Sequence, residues 1–232
     1  MLATIGVLAL ICFLVFPSLF GVGRATGSRF RCVGNLKNVG LGFRTFAVDF
    51  DGKYPWQVDP TNGGIAIPPV GEAASPTNNV FTVFACISNE ISTTKILHCP
   101  EDPRIPAPMT FAQGVALGDK AADYSSYFIG VSASDESVSS ILGGDRHLLV
   151  KSAGLDYQDP RRYNRVVRLG ASDVRSSNTN NIAWSPVMHS GCGNILLGDG
   201  SVQQCKPGQV PQLFRDAWQE RPTNIGLFMP AL

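Results

Sequence analysis

Residues 2–22 read LATIGVLALICFLVFPSLFGV and contain no charged side chain. A helix rises ~1.5 Å per residue, so about 20 such residues match the hydrocarbon core of a bilayer. This pattern predicts a transmembrane N-terminal helix over residues 1–23, with Pro17 inside it. A cleaved signal peptide is the competing reading. No basic region precedes the apolar core and no small-x-small site follows it, so a retained anchor is the expectation. Beyond residue 23 the pattern changes. Val33, Leu36, Gly40, Phe43, Ala47 and Phe50 recur every three or four positions, which marks one face of a helix. The pattern stops at Asp51-Gly52, with Pro55 just beyond, a helix-stop combination. One helix is expected to run from the membrane to about Asp49, with residues 24–55 as its amphipathic continuation.

Residues 56–232 show shorter patterns and read as one β-rich globular head. Residues 59–79 are rich in Pro and Gly and predict a loop. Residues 78–86 (NNVFTVFAC) and 94–99 predict a helix and a strand flanking a turn, and 103–108 is a Pro-rich connector. Residues 124–131 (YSSYFIGV) alternate as a strand does. A polar surface loop (132–140), short elements at 141–150 and 166–169, and a strand at 182–184 follow. Asn194 to Leu197 is apolar, Asp199-Gly200 is a turn signal, and Ser201 to Gln204 alternates, which predicts a β-hairpin. Phe43, Phe46, Phe81 and Phe84 are expected in the core. The expected class is α+β: a long N-terminal helix packed on a small antiparallel sheet, with no internal repeat or second domain.

Charge narrows the function classes. The net charge of +1 gives no field that would recruit nucleic acid, and no basic stripe carries interleaved aromatics. Arg161 and Arg162 read as a solvated charge cluster. There are six cysteines and no C-x-x-C. Cys86 and Cys99, and likewise Cys192 and Cys205, lie thirteen positions apart. Local pairs in a Gly-rich exported domain favour disulfides, each closing a loop for ~3 kcal/mol, and free buried thiols are the alternative. Orientation is contested. Arg24, Arg29, Arg31, Lys37 and Arg44 would place the side after the span in the cytoplasm, whereas paired cysteines place it on the oxidising side. The export reading is adopted.

Four segments then point to a family. The apolar helix with its internal Pro leads into Cys32-Val33-Gly34-Asn35-Leu36-Lys37-Asn38-Val39-Gly40-Leu41 and then Phe46-Ala47-Val48-Asp49-Phe50-Asp51-Gly52-Lys53-Tyr54-Pro55. Ile96-Leu97-His98-Cys99-Pro100-Glu101-Asp102 comes next, then Ser126-Tyr127, and His189 to Gly200 fits H-x9-DG without a gap. In this order they resemble the prepilin-like proteins that carry a C-terminal H-x9-DG signature. The resemblance implies a type IV pilin-like or type II secretion pseudopilin-like architecture. It further implies an inner-membrane, single-pass protein with a periplasmic or extracellular head. The implied partners are other pilin-like subunits, met through the N-terminal helix, and the secretion or pilus assembly machinery. The match departs at the start, where Met1-Leu2-Ala3-Thr4 stands in place of the family's basic leader, its cleavage Gly, and the Phe and Glu that follow. Aligning Pro17 with the family's Pro leaves only the leader and the first few mature residues without a counterpart. A miscalled start or a true loss would each explain that, and prepilin processing depends on which holds.

The signature residues His189, Asp199 and Gly200 carry three readings. His189 hydrogen-bonds the hairpin and fixes the C-terminal strands; or it forms a metal site with Asp199; or the two act as an acid–base pair. Only two metal ligands are visible, and no P-loop, HExxH, GxGxxG or nucleophile elbow accompanies them. The structural reading is preferred, no enzyme is expected, and no cofactor is expected. Calcium has two weak candidates: Asp49-Phe50-Asp51-Gly52, which helix termination also explains, and Asp199. Trp56, Trp184 and Trp218 would mark a sugar-binding face if they came together. The resulting expectation is a structural subunit of a pilus-like filament or pseudopilus. The alternatives are an anchored surface-binding protein for glycan or another ligand that does not polymerise, and a metal-dependent hydrolase using His189 and Asp199.

Overall fold

The computed structural model describes residues 2–104, 110–151, 164–175, 181–220 and 224–230; the side chains of residues 2–5, 7–26 and 119 are not described. Arg161 and Arg162, and most of the expected 103–108 connector, lie outside the described residues.

Helix α1 runs unbroken over Leu2–Asp49. It ends where the sequence predicts, because Asp51 and Gly52 both take left-handed φ angles (55° and 76°) and Gly52 N–H closes on the Ala47 carbonyl at 2.8 Å. Its buried face is wider than the periodic set, adding Cys32, Val39 and Phe46 to Leu36, Phe43 and Ala47. Helices α2 (Val80–Cys86) and α3 (Ser88–Ile91) pack against it and each other, and α4 (Phe111–Ala116) packs on α2. Asn79 caps α2 by accepting from Thr82 N–H.

The strands are β1 (Tyr127–Gly130), β2 (Ile141–Asp145), β3 (Leu148–Val150), β4 (Arg165–Leu169), β5 (Ile182–Trp184), β6 (Gly193–Leu197), β7 (Val202–Cys205) and β8 (Ile225–Met229). Six form one antiparallel sheet in the order β4-β8-β1-β2-β6-β7, while β3 and β5 pair separately. Two further helices are α5 (Ala171–Val174) and α6 (Val210–Glu220). Side chains alternate through the sheet. Tyr127, Ile129 and Leu196 face the α1 side, where Phe43, Phe81 and Phe84 complete the core. Phe128, Ile195 and Leu197 face the other side, against Phe214 and Trp218 of α6 and Trp184 of β5. The sheet is therefore covered on both faces, and every residue of β2, β6 and β8 is buried.

Three expectations are corrected here. The α+β class and antiparallel sheet stand, but among the described residues no helix is long and apolar enough to cross a membrane. Over residues 27–49, where the side chains are described, Arg29, Arg31, Lys37, Arg44 and Asp49 interrupt any apolar run, and the remaining apolar face lies on the sheet and α2–α3. Nearly all side chains of the expected span at residues 1–23 lie outside the described ones. The strand expected at 94–99 is instead a 3-10 turn over Thr94–Leu97, begun by Thr93, whose hydroxyl accepts from Lys95 N–H. Trp184 and Trp218 are buried in the α6-side core and Trp56 packs on the α1 side, so the three form no sugar-binding face.

Candidate functional site

Under α1, at the end of the sheet where β2 and β6 meet, lies a buried polar cluster. It begins with the segment Cys99-Pro100-Glu101-Asp102, which follows the 3-10 turn and is drawn against α1. Asn35 of α1 donates to the His98 carbonyl at 3.0 Å, and Cys32 of α1 forms a disulfide with Cys99, their Cα atoms 5.1 Å apart. This corrects the expected local pairs Cys86–Cys99 and Cys192–Cys205. Cys99 faces the helix, where Cys32 is its neighbour, while Cys86 remains a free thiol at the end of α2. Strand register pairs Cys205 with Gly193, so Cys192 falls one position out of step with Cys205, and both stay free. Burial pushes the Cys205 thiol up to about 12 and that of Cys86 to about 11, so neither is a thiolate near neutral pH.

Asp102 is the charged centre. Its carboxylate accepts from Arg146 Nε and Nη2 at 2.8 Å each, from Arg104 Nη2 at 2.9 Å, and from Ser126 Oγ at 2.8 Å. Burial by itself would raise this carboxyl, but the bonds and charges of Arg146 and Arg104 outweigh it and hold it well below the usual carboxylate range. Ser126 Oγ in turn accepts from Cys99 N–H at 2.9 Å, linking the ion pair to the disulfide. Asp145 closes β2 and is fully buried. Its Oδ2 accepts from Asn194 N–H (2.7 Å) and Nδ2 (2.9 Å), and among the described residues its Oδ1 has no hydrogen-bond partner. Burial pushes this acid up to about 8, against the two Asn194 bonds that lower it.

His189 is turned into this cluster by its backbone. His189 and Ser190 both have φ near +53°, and Gly191 follows at +79°; side-chain-bearing residues take such angles only at a cost of about 1–3 kcal/mol each. Its Nε2 lies 3.3 Å from Cys99 Sγ and 3.5 Å from Asp145 Oδ2. Its Nδ1 lies 3.1 Å from Glu101 Oε2, an ion-pair contact rather than an aligned hydrogen bond, and its backbone N–H donates to the same oxygen at 3.0 Å. Arg29 of α1 donates to its carbonyl at 3.0 Å. Burial lowers the imidazole below its ordinary range, and the Glu101 carboxylate opposes that. His147, in the turn between β2 and β3, lies beside Trp184 and bonds the Cys192 carbonyl through Nε2 at 2.8 Å. Burial brings it down to about 3, so it is neutral and Nε2–H is the donor.

The other two signature residues lie elsewhere. Asp199 and Gly200 make the β6–β7 turn. The Asp199 carboxylate accepts from Ser201 N–H at 2.8 Å, its carbonyl takes Arg44 Nη1 of α1 at 2.7 Å, and Gly200 adopts φ +83°. The hairpin prediction thus holds, whereas a His189–Asp199 metal or acid–base pair is not assembled. Asp49-Phe50-Asp51-Gly52 forms the turn that ends α1, with both carboxylates exposed. Among the described residues, the group whose donor atoms come together is Cys32, Cys99 and His189, all buried and within 4.8 Å of one another.

Chemically, Cys99–His189–Glu101 has the order of a nucleophile, base and orienting acid. The Cys99 sulfur is bonded to Cys32 and fully buried, so it is no nucleophile in this state. Sequence reasoning missed Asp102, Arg104, Arg146, Asp145, Asn194 and the partnership of Cys32. One signal was present: Asp145-Arg146-His147 interrupts an otherwise apolar stretch at 141–150. No protein-family model matches the chain, and no curated protein or solved structure matches it.

Proposed function

We propose that this chain is an exported structural subunit of a type IV pilus-like or type II secretion pseudopilus-like assembly, in which α1 packs against the helices of other pilin-like subunits. The observation that carries this reading is the outer face of α1. Phe30, Leu41 and Val48 are 66%, 65% and 82% exposed. At 3.6 residues per turn they fall about three and then about two turns apart, in line on the side opposite the buried Leu36, Phe43 and Ala47. A helix that buries one face on its own sheet and lines up large apolar groups on the other suits helix-to-helix association. The order of the prepilin-like segments supports the same reading, and the Cys32–Cys99 disulfide suits an oxidising compartment outside the cytoplasm.

The test is assembly in the native cell. Leu41→Glu and Val48→Glu alter exposed positions and are expected to change stability by no more than about 0.5 kcal/mol. They are also expected to abolish cross-linked multimers that the wild-type chain forms. A wild-type chain that sediments and cross-links only as a single subunit overturns the reading and leaves a non-polymerising surface-binding protein. Multimers unaffected by both changes overturn the assigned face.

A further inference from the structure

The Cys32–Cys99–His189 cluster has a geometry that hydrogen bonding alone does not require. We propose that the reduced chain binds zinc(II) through Cys32, Cys99 and His189, with the fourth position left to a solvent molecule, making a site that alternates with the disulfide. This inference is independent of the assembly reading.

The distances come first. Tetrahedral zinc with Zn–S near 2.3 Å and Zn–N near 2.0 Å has an S···N edge of about 3.5 Å and an N···O edge of about 3.4 Å. Cys99 Sγ and His189 Nε2 are 3.3 Å apart, and His189 Nε2 and Asp145 Oδ2 are 3.5 Å apart. One edge of the tetrahedron therefore already exists, and Asp145 stands beside it without joining the group of three ligands. The remaining change is separation of the two sulfurs to about 3.8 Å. Side-chain rotation supplies that with the Cα atoms 5.1 Å apart.

The surroundings of the ligands come second. A metal-bound histidine usually turns its other ring nitrogen to a carboxylate, and the polar groups around the ligands are usually held by further hydrogen bonds. His189 Nδ1 faces Glu101 Oε2 at 3.1 Å, and Asn194 holds Asp145 by two bonds. Asp145 Oδ1 is fully buried with no hydrogen-bond partner among the described residues, an orphan that a cation near the carboxylate would compensate. The left-handed backbone at His189 and Ser190 fixes the ring in this pose. A cavity of about 200 Å³, lined by Arg29, His189, Cys192, Asn194 and Cys205, lies beside His189 and offers a route in.

The chemistry balances with a dithiol reductant. It delivers two electrons and two protons to the Cys32–Cys99 bond and leaves as its own disulfide. Zinc then displaces the two thiol protons to solvent as the thiolates bind. In the reverse direction a small-molecule disulfide takes two electrons from the bound thiolates and leaves as two thiolates, the Cys32–Cys99 bond re-forms and zinc departs to solvent, so disulfide and zinc exclude one another.

The full-length chain, made in a reducing cytosol and kept under a phosphine reductant, is titrated with zinc alone and then alkylated. The expected result is one zinc per chain by elemental analysis, with Cys32 and Cys99 shielded from iodoacetamide and Cys192 labelled equally with or without metal. Cobalt in place of zinc gives the absorption of a tetrahedral thiolate site. The oxidised chain binds none. Glu101→Gln weakens binding by about 10–100-fold. A folded, reduced chain that takes up no zinc overturns the proposal, as does zinc held equally by the oxidised chain or by His189→Ala. If His189→Ala does not fold, the wild-type shielding pattern decides: protection of other cysteines, or of none, overturns it.

Discussion

Asp102 shows how much of this molecule is settled by single residues. One buried carboxylate accepts from Arg146, Arg104 and Ser126 together, so removing its charge takes the shared counter-charge from two guanidinium groups inside the protein. Breaking a buried pair from one side costs about 3–5 kcal/mol, and Asp102→Asn is expected to lose that much in urea denaturation at neutral pH. The pH dependence follows from the same contact. The folded-state pKa is depressed, so the contribution is fully present above the ordinary carboxylate range and is lost as pH falls through that range toward the folded value. Wild-type stability is therefore expected to fall from about pH 4 downward. The curve of Asp102→Asn should be flatter there, and equal slopes would refute the assignment. Little of this was legible in advance. Asp102 was visible as part of a Cys-Pro-Glu-Asp segment, but its main partner lies 44 positions away, and no local pattern encodes that pairing.

At the scale of elements, legibility followed whether burial leaves a period in the sequence. The end of α1, strand β5 and the β6–β7 hairpin were readable because a stripe, a short apolar run and an Asp-Gly turn mark them. Strand β8 was not read. It lies inside the sheet between β4 and β1 with all five residues buried, so the alternation that betrays a half-exposed strand is absent. Helix α6 is a different case. Its buried Val210, Phe214, Ala217 and Trp218 do follow helical spacing, but the sequence reading assigned no element to residues 210–220 and weighed Trp218 only with the other two tryptophans. Element packing also explains Gly40. A Cβ there would stand 2.7 Å from Leu196 Cδ1 and 3.4 Å from Gly200 Cα, so the glycine is what lets α1 rest on the hairpin. Glycine normally costs a helix about 1 kcal/mol relative to alanine, which makes its presence here a packing requirement. Gly40→Val is expected to destabilise by about 1–3 kcal/mol through overpacking, read as a lower thermal midpoint. Leu41→Ala, one residue on and exposed, should stay within about 0.5 kcal/mol. Equal effects at the two positions would mean that α1 does not seat on the hairpin as described.

The whole molecule is a sheet between two unlike layers, and the disulfide decides how firmly one of them is held. On the α6 side, β3, β5 and α6 come from the same chain region as the strands they cover. On the α1 side, the covering helix is separated from the sheet by a long excursion through α2, α3 and α4. Cys32–Cys99 closes the part of that excursion that carries α2 and α3, across 67 positions. Loop-closure entropy for that length predicts a stabilisation of about 4 kcal/mol, with measured disulfides spanning about 0–5. A Cys32→Ser/Cys99→Ser double variant is expected to lose about 2–5 kcal/mol in guanidinium unfolding, while Cys192→Ser and Cys205→Ser leave the oxidised protein's dependence on reductant unchanged. Because α1 shares its core with β1, β2 and β6, the loss should shift one cooperative transition rather than split it. An early, separate transition would show that the helix is held by the disulfide more than by its apolar face. Zinc added to the reduced wild type should recover part of the loss in proportion to the logarithm of its concentration, and should recover none in the double variant, since a ligand stabilises only the folded form that binds it.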